Sequence, residues 1–205
     1  MASLVEIGSP DNTQRIRRVQ IFTIVWMVAE VVVSLFSAWR AHSPALFAFG
    51  GDSIIELASA VVVLWRFRSG PACETKESRA ARIAGALLFL LAACVAMVSA
   101  KSLLGYGEPK PSATGIVILL LAAVAMPLLA REKGKLSTVT GSAALRADAA
   151  ESAVCGYLSV VALLGVGVNT VWHFAWADPV AALLIVPFIF WEGREAMRGK
   201  ACGCH

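Results

Sequence analysis

Residues 44–65 read PALFAFGGDSIIELASAVVVLW, an apolar run without Lys or Arg that nevertheless carries two acids, Asp52 and Glu56, in its interior. A helix rises about 1.5 Å per residue, so a run of this length crosses roughly 30 Å of hydrocarbon. Five further runs accompany it, at about 19–39, 83–104, 113–130, 143–171 and 175–193. None shows the ten-residue alternation of an outer-membrane barrel, and a helix is the other fold that satisfies its own backbone in lipid. Composition agrees: the 205 residues are 58% hydrophobic and 16% charged, with mean hydropathy +0.73, whereas a soluble domain carries about 25% charged residues. The expected fold is an all-α integral membrane protein of six transmembrane helices with no soluble domain. Residues 1–18 form a cytoplasmic N-terminal segment, 19–198 the transmembrane domain and 199–205 a short cytoplasmic tail. The first run is too long for the apolar part of a cleaved signal peptide.

Charge placement orients the chain. The formal charge of +4 would suggest nucleic acid in a soluble protein; in a membrane protein an excess of Lys and Arg records topology, and no nucleic-acid partner is expected. With the N-terminus in the cytoplasm, 15 of the 18 basic residues fall inside, leaving Arg40, Lys101 and Lys110 outside. Six spans return the C-terminus to the same side, so both termini are expected to be cytoplasmic. Cys73, Cys202 and Cys204 then lie in the cytoplasm and Cys94 and Cys155 within spans, where disulfides do not form.

Acids within spans are the informative residues, because a carboxylate at mid-bilayer costs at least about 2.5–3.5 kcal/mol. They are Glu30 in the first run, Asp52 and Glu56 in the second, and Asp148 and Glu151 in the fifth. No Lys or Arg is expected at mid-depth to neutralise them: Arg66, Arg68 and Arg146 sit near cytoplasmic ends, where they can snorkel, and Arg131 to Ser137 reads as a cytoplasmic loop after the fourth span. Acids without bases imply shared protons or a cation. Entering from outside near Pro44, Asp52 and Glu56 lie about 12 and 18 Å along their helix, and Glu151, entering from inside near Gly141, lies about 15 Å along its own. Asp52 and Glu56 are four residues apart and share a face, as do Glu151 and Cys155. Two such pairs at one depth supply four ligands, the number a tetrahedral divalent metal takes.

Three segments carry a resemblance: SPALFAFGGDSIIE from Ser43, LRADAAESAVC from Leu145, and WADPVAALLI from Trp176. In this order they resemble the second, fifth and sixth spans of the cation diffusion facilitator family, six-helix divalent-cation transporters that are mostly zinc/proton antiporters. The resemblance covers about residues 20–198 and implies a transported-metal site at Asp52, Glu56, Glu151 and Cys155. Three departures stand out. The fifth-span pair is Glu and Cys where His or Asp with Asp is usual, the segment Arg131 to Ser137 lacks His, and the cytoplasmic metal-sensing and dimerising domain of typical members is not expected after the last span. A homodimer would then form through the transmembrane helices. Short proteins resembling the vertebrate transmembrane zinc-binding proteins of synaptic vesicles also lack a large tail.

Three carboxylates and a thiol at one low-dielectric point cannot all ionise, so protons must leave as a metal binds, and alternating exposure turns that exchange into antiport. The expected function is export of a divalent cation from the cytoplasm by proton antiport, at a plasma membrane such as the bacterial inner membrane. Oxygen with sulfur favours zinc, with cadmium or cobalt as alternatives, over magnesium or calcium. The metal is cargo, and no permanent cofactor is expected. Glu30 and Asp148 are candidates for an access path or proton relay, although a neighbouring hydroxyl would equally satisfy Glu30. Cys202, Cys204 and His205 are candidates for capturing cytoplasmic metal. Asp178, before Pro179, reads as the N-cap of the sixth helix, and His42 and His173 as interfacial. No His lies at mid-membrane and no zincin motif is present, which argues against an enzyme. A membrane metal sensor or scaffold that binds without transport is the alternative.

Overall fold

The computed structural model describes residues 10–69, 74–140 and 143–197. Six helices follow in order: α1 Pro10–Ala41, α2 Pro44–Ser69, α3 Glu74–Leu103, α4 Ala113–Thr140, α5 Ala143–Trp172 and α6 Ala177–Met197, with no strand among the described residues. Stretches within α1, α3, α4 and α5 are long and apolar enough to cross a membrane, namely Gln14–Ala41, Gly85–Leu103, Ala113–Thr140 and Asp148–Trp172. The helices outrun the apolar segments at several ends. α1 begins at Pro10 instead of near residue 19, and α4 continues through Arg131 to Ser137, which is therefore helix and not loop.

The bundle is turned inside out relative to a soluble one. Along α1, Ile21, Val25, Val28, Val32, Phe36 and Trp39 face outward, while Gln20, Thr23, Glu30, Ser34 and Ser37 are buried. In water that arrangement would expose the apolar stripe and desolvate the polar one; in lipid both faces are satisfied. The protein is a multi-pass integral membrane protein.

Turns gather at alternate ends. Lys110 N donates to Ala41 O at 2.7 Å, and the Asn169 amide donates to Pro109 O at 3.0 Å. These bonds hold the α1–α2 turn, the α3–α4 loop and the end of α5 together at one end of the bundle. At the other end, Arg15 near the start of α1 pairs with Glu132 of α4 at 2.9 Å. His42 and His173 occupy the left-handed region, at φ 52° and 56°, and terminate α1 and α5. Ser43 N returns to Ala38 O at 3.1 Å and His173 N to Asn169 O at 3.0 Å, the two common ways of satisfying the last carbonyls of a helix. Their role is thus a backbone one.

Asp178 does not cap its own helix. It lies inside α6, and its carboxylate takes the Ser43 hydroxyl at 2.5 Å and the Ala45 amide at 2.9 Å, closing the N-terminus of α2, where Ser43 Oγ also accepts from Leu46 N. A negative charge there satisfies free amides and opposes the helix dipole. Asp178→Ala should cost about 1–3 kcal/mol, the usual range for stranding buried hydrogen-bonding groups. Thermal unfolding in detergent reads this as a lower midpoint, and an unchanged midpoint would show that the cap contributes nothing.

α2 packs against α1, α3, α5 and α6, while α4 lies against α5 and α1. α3 and α6 cross closely at Gly85 and Gly193, where a Cβ on Gly85 would stand 2.8 Å from the Gly193 carbonyl oxygen. This crossing brings α6 near the face of α2 that carries the acids.

Candidate functional site

With four neighbours around it, α2 presents its buried face to the middle of the bundle. That face holds Phe49, Asp52, Ser53 and Glu56, all buried, and the four-residue spacing of Asp52 and Glu56 stacks them one turn apart. Asp52 lies in the electrostatic field of Glu192, Glu56, Glu151 and Glu30, acids from α6, α2, α5 and α1.

Glu56 has two unequal oxygens. Oε1 accepts from Ser152 Oγ of α5 at 2.7 Å, while Oε2 is buried with no hydrogen-bond partner. A buried carboxylate oxygen left without a donor is costly, and either a proton on the carboxyl or a cation would relieve that cost. Cys155, one turn beyond Glu151 on α5, is buried, neighbours Glu56, and directs its thiol to Glu30 Oε1 at 3.7 Å. Glu30 is itself held by Ser53 Oγ at 2.7 Å and by the Trp26 indole at 2.7 Å. Its hydroxyl partner therefore comes from α2, and it stands beside the thiol as well.

Of the four residues expected to share a metal, Glu56 and Cys155 meet where α2 contacts α5, and Asp52 acts on Cys155 and on Glu151, which in turn acts on Glu192 of α6. They are not closed upon a single point: among the described residues, no group of three or more His, Cys, Asp or Glu side chains is arranged to hold a metal ion. Cys73 and the expected capture group Cys202, Cys204 and His205 lie outside the described residues.

Two participants escape the sequence reading. Glu192, from α6, acts on both Asp52 and Glu151, and its Oε2 is buried without a hydrogen-bond partner. It falls inside the sixth apolar run, at its very end, so the rule that selected the other acids applies to it too. The second is Lys133, which corrects the expectation that no base accompanies the acids. Its side chain is 0% exposed and its Nζ sits 3.1 Å from Asp148 Oδ2, with Asp148 equally enclosed. Nζ also donates to Ser152 Oγ at 2.8 Å, and Gln20 of α1 donates to the same Asp148 oxygen at 2.6 Å. Asp148 is thus an ion-pair partner tying α5 to α4 and α1. A sequence signal for Lys133 exists: the buried stripe of α4 runs Ile118, Ala122, Met126, Leu129, Lys133, Leu136, and the lysine keeps that period.

The cation efflux transmembrane domain matches residues 19–199 of the chain. Transmembrane protein 163 of Xenopus laevis is 26% identical over 157 residues, an alignment covering 74% of this chain and 54% of that protein. The chain thus spans about half the length of this relative.

Proposed function

This chain belongs to the cation efflux family of membrane cation transporters, and we propose that it carries a divalent cation, zinc foremost, out of the cytoplasm in exchange for protons. Asp52 and Glu56 of α2 with Glu151 and Cys155 of α5 are the ligands. What supports the reading above all is Glu56, whose Oε2 has no hydrogen-bond partner, whose carboxyl group neighbours the Cys155 thiol, and which stands one turn from Asp52 within the α2–α5 contact. An oxygen-rich set with one sulfur suits zinc, and cadmium or cobalt are the next candidates.

Exchange follows from the chemistry of the ligands. Carboxylates crowded together in low dielectric retain protons among them, and a thiol binds metal as thiolate, so metal must displace protons. Protons returning from the other side then displace metal. With six crossings, both termini in the cytoplasm and an inward proton gradient, as at a bacterial plasma membrane, the cycle runs as export. Two copies assemble through their transmembrane helices. Glu30 and Glu192, flanking the ligands from α1 and α6, are the groups through which protons reach them.

Proteoliposomes containing a zinc-sensitive dye test this directly. Zinc uptake should rise severalfold when the lumen is more acidic than the bath and collapse when a protonophore equalises the two sides. Uptake indifferent to the gradient would exclude antiport. Zinc binding without flux would favour a membrane sensor instead.

A further inference from the structure

We propose that Lys133 is a tethered counter-cation of the transport site, a positioning residue that acts through Ser152 on Glu56 and competes with arriving metal for that carboxylate. The inference deepens the transport reading above and rests on it.

Burial at this position belongs to Lys133 and not to its surroundings. Arg131 and Lys135 are exposed and Glu132 is half-buried, whereas Lys133 is fully enclosed. Desolvating an ammonium costs several kcal/mol, so its surroundings must supply compensating charge and hydrogen bonds. Asp148 supplies the first of these, but one Asp148 oxygen is shared with Gln20 and the other is buried without a partner.

The hydrogen bonds have a fixed direction. An ammonium can only donate, so at the 2.8 Å contact Ser152 Oγ must accept. The single serine proton has two acceptors within reach, the Asp148 backbone carbonyl at 3.1 Å and Glu56 Oε1 at 2.7 Å, and the shorter, charged contact is the one to Glu56. Ammonium, hydroxyl and carboxylate form one polarised chain from α4 through α5 to α2, and Lys133 is the principal opposite charge acting on Glu56. A divalent cation taking up Glu56 enters the field of a positive charge that is already present. The metal is held less tightly than the ligands alone would hold it, and it is released faster. Asp148 gives the ammonium a place to remain when Glu56 turns to metal.

Removing the charge while keeping hydrogen-bonding capacity isolates this effect. Lys133→Gln in the full chain should lower the apparent KM for zinc flux by about tenfold, a conservative value for deleting a unit charge near a dication at an effective dielectric of about 20. Maximal rate should fall severalfold, and calorimetric titration of the detergent-solubilised protein with zinc should give a correspondingly tighter Kd. Lys133→Arg should restore KM toward wild type, and Ser152→Ala, which cuts the chain but keeps the charge, should lower KM by less. A purely structural role would reduce folded protein and maximal rate without tightening zinc. KM and Kd within twofold of wild type in Lys133→Gln, or weaker binding, overturn the proposal. Should Lys133→Gln not fold, Ser152→Ala decides alone: an unchanged or raised Kd overturns it. Because Kd is read without flux, absence of zinc transport by the wild type would defeat the transport reading while leaving this competition separately measurable.

Discussion

Asp52→Asn is expected to lower zinc flux into proteoliposomes by at least about 100-fold, the largest functional effect of any single substitution in this protein. Zinc held by four protein ligands gains on the order of 10–16 kcal/mol in apparent binding, or about 3 kcal/mol per ligand, which is about two decades in affinity or rate. Asparagine preserves the shape of aspartate in a site that is only 5% exposed, so the packing of α2 survives while an anionic ligand is lost. The loss is also specific in sign. Asp52 stands among Glu192, Glu56, Glu151 and Glu30, and neutralising it relieves repulsion among them, which favours folding even as it removes binding. The variant should therefore unfold at or above the wild-type temperature while transporting almost nothing. Flux within threefold of wild type would remove Asp52 from the ligand set and direct attention to Glu56 with Glu30 and Cys155.

Asp148→Ala is expected to give the largest loss of stability, about 3–5 kcal/mol, the range for removing one partner of a buried ion pair. The reason is the ammonium left behind. Lys133 Nζ would keep only its bond to Ser152, in a bundle interior where neither side chain of the pair reaches solvent. The Gln20 amide, which donates to the same carboxylate, would lose its acceptor too. Denaturant titration in mixed micelles measures the change, and Lys133→Met combined with Asp148→Asn should recover most of it, since no unpaired charge then remains. Equal destabilisation in single and double variants would mean that packing, and not charge, dominates at this site.

Asp52 and Asp148 differ in how far the sequence alone reaches them. That Asp52 and Glu56 are candidates is legible there, because lipid penalises charge at any point along a span and four-residue spacing stacks the two on one face. The same logic reaches Glu30, Glu151 and Asp148. It does not reach what each acid is paired with. Asp178 stands before a proline at the start of a helix, which is the pattern of a cap; the bundle instead turns its carboxylate to the amides of α2. His42 and His173 are read only as interfacial, yet their backbone conformation is what ends two helices.

Lys133 marks the division most clearly. Composition, hydropathy and the distribution of bases determine that this chain is a bundle of helices in a membrane, because the solvent acts on every residue independently and its effect can be summed along the sequence. An ion pair depends on which helices become neighbours and on their rotation about their axes. Those follow from side-chain packing summed over whole surfaces, such as the Gly85–Gly193 crossing and the contacts of α2 with four other helices. Only the tertiary structure therefore decided that the lysine after an apolar run turns inward, that it meets Asp148, and that through one serine it reaches the Glu56 carboxylate.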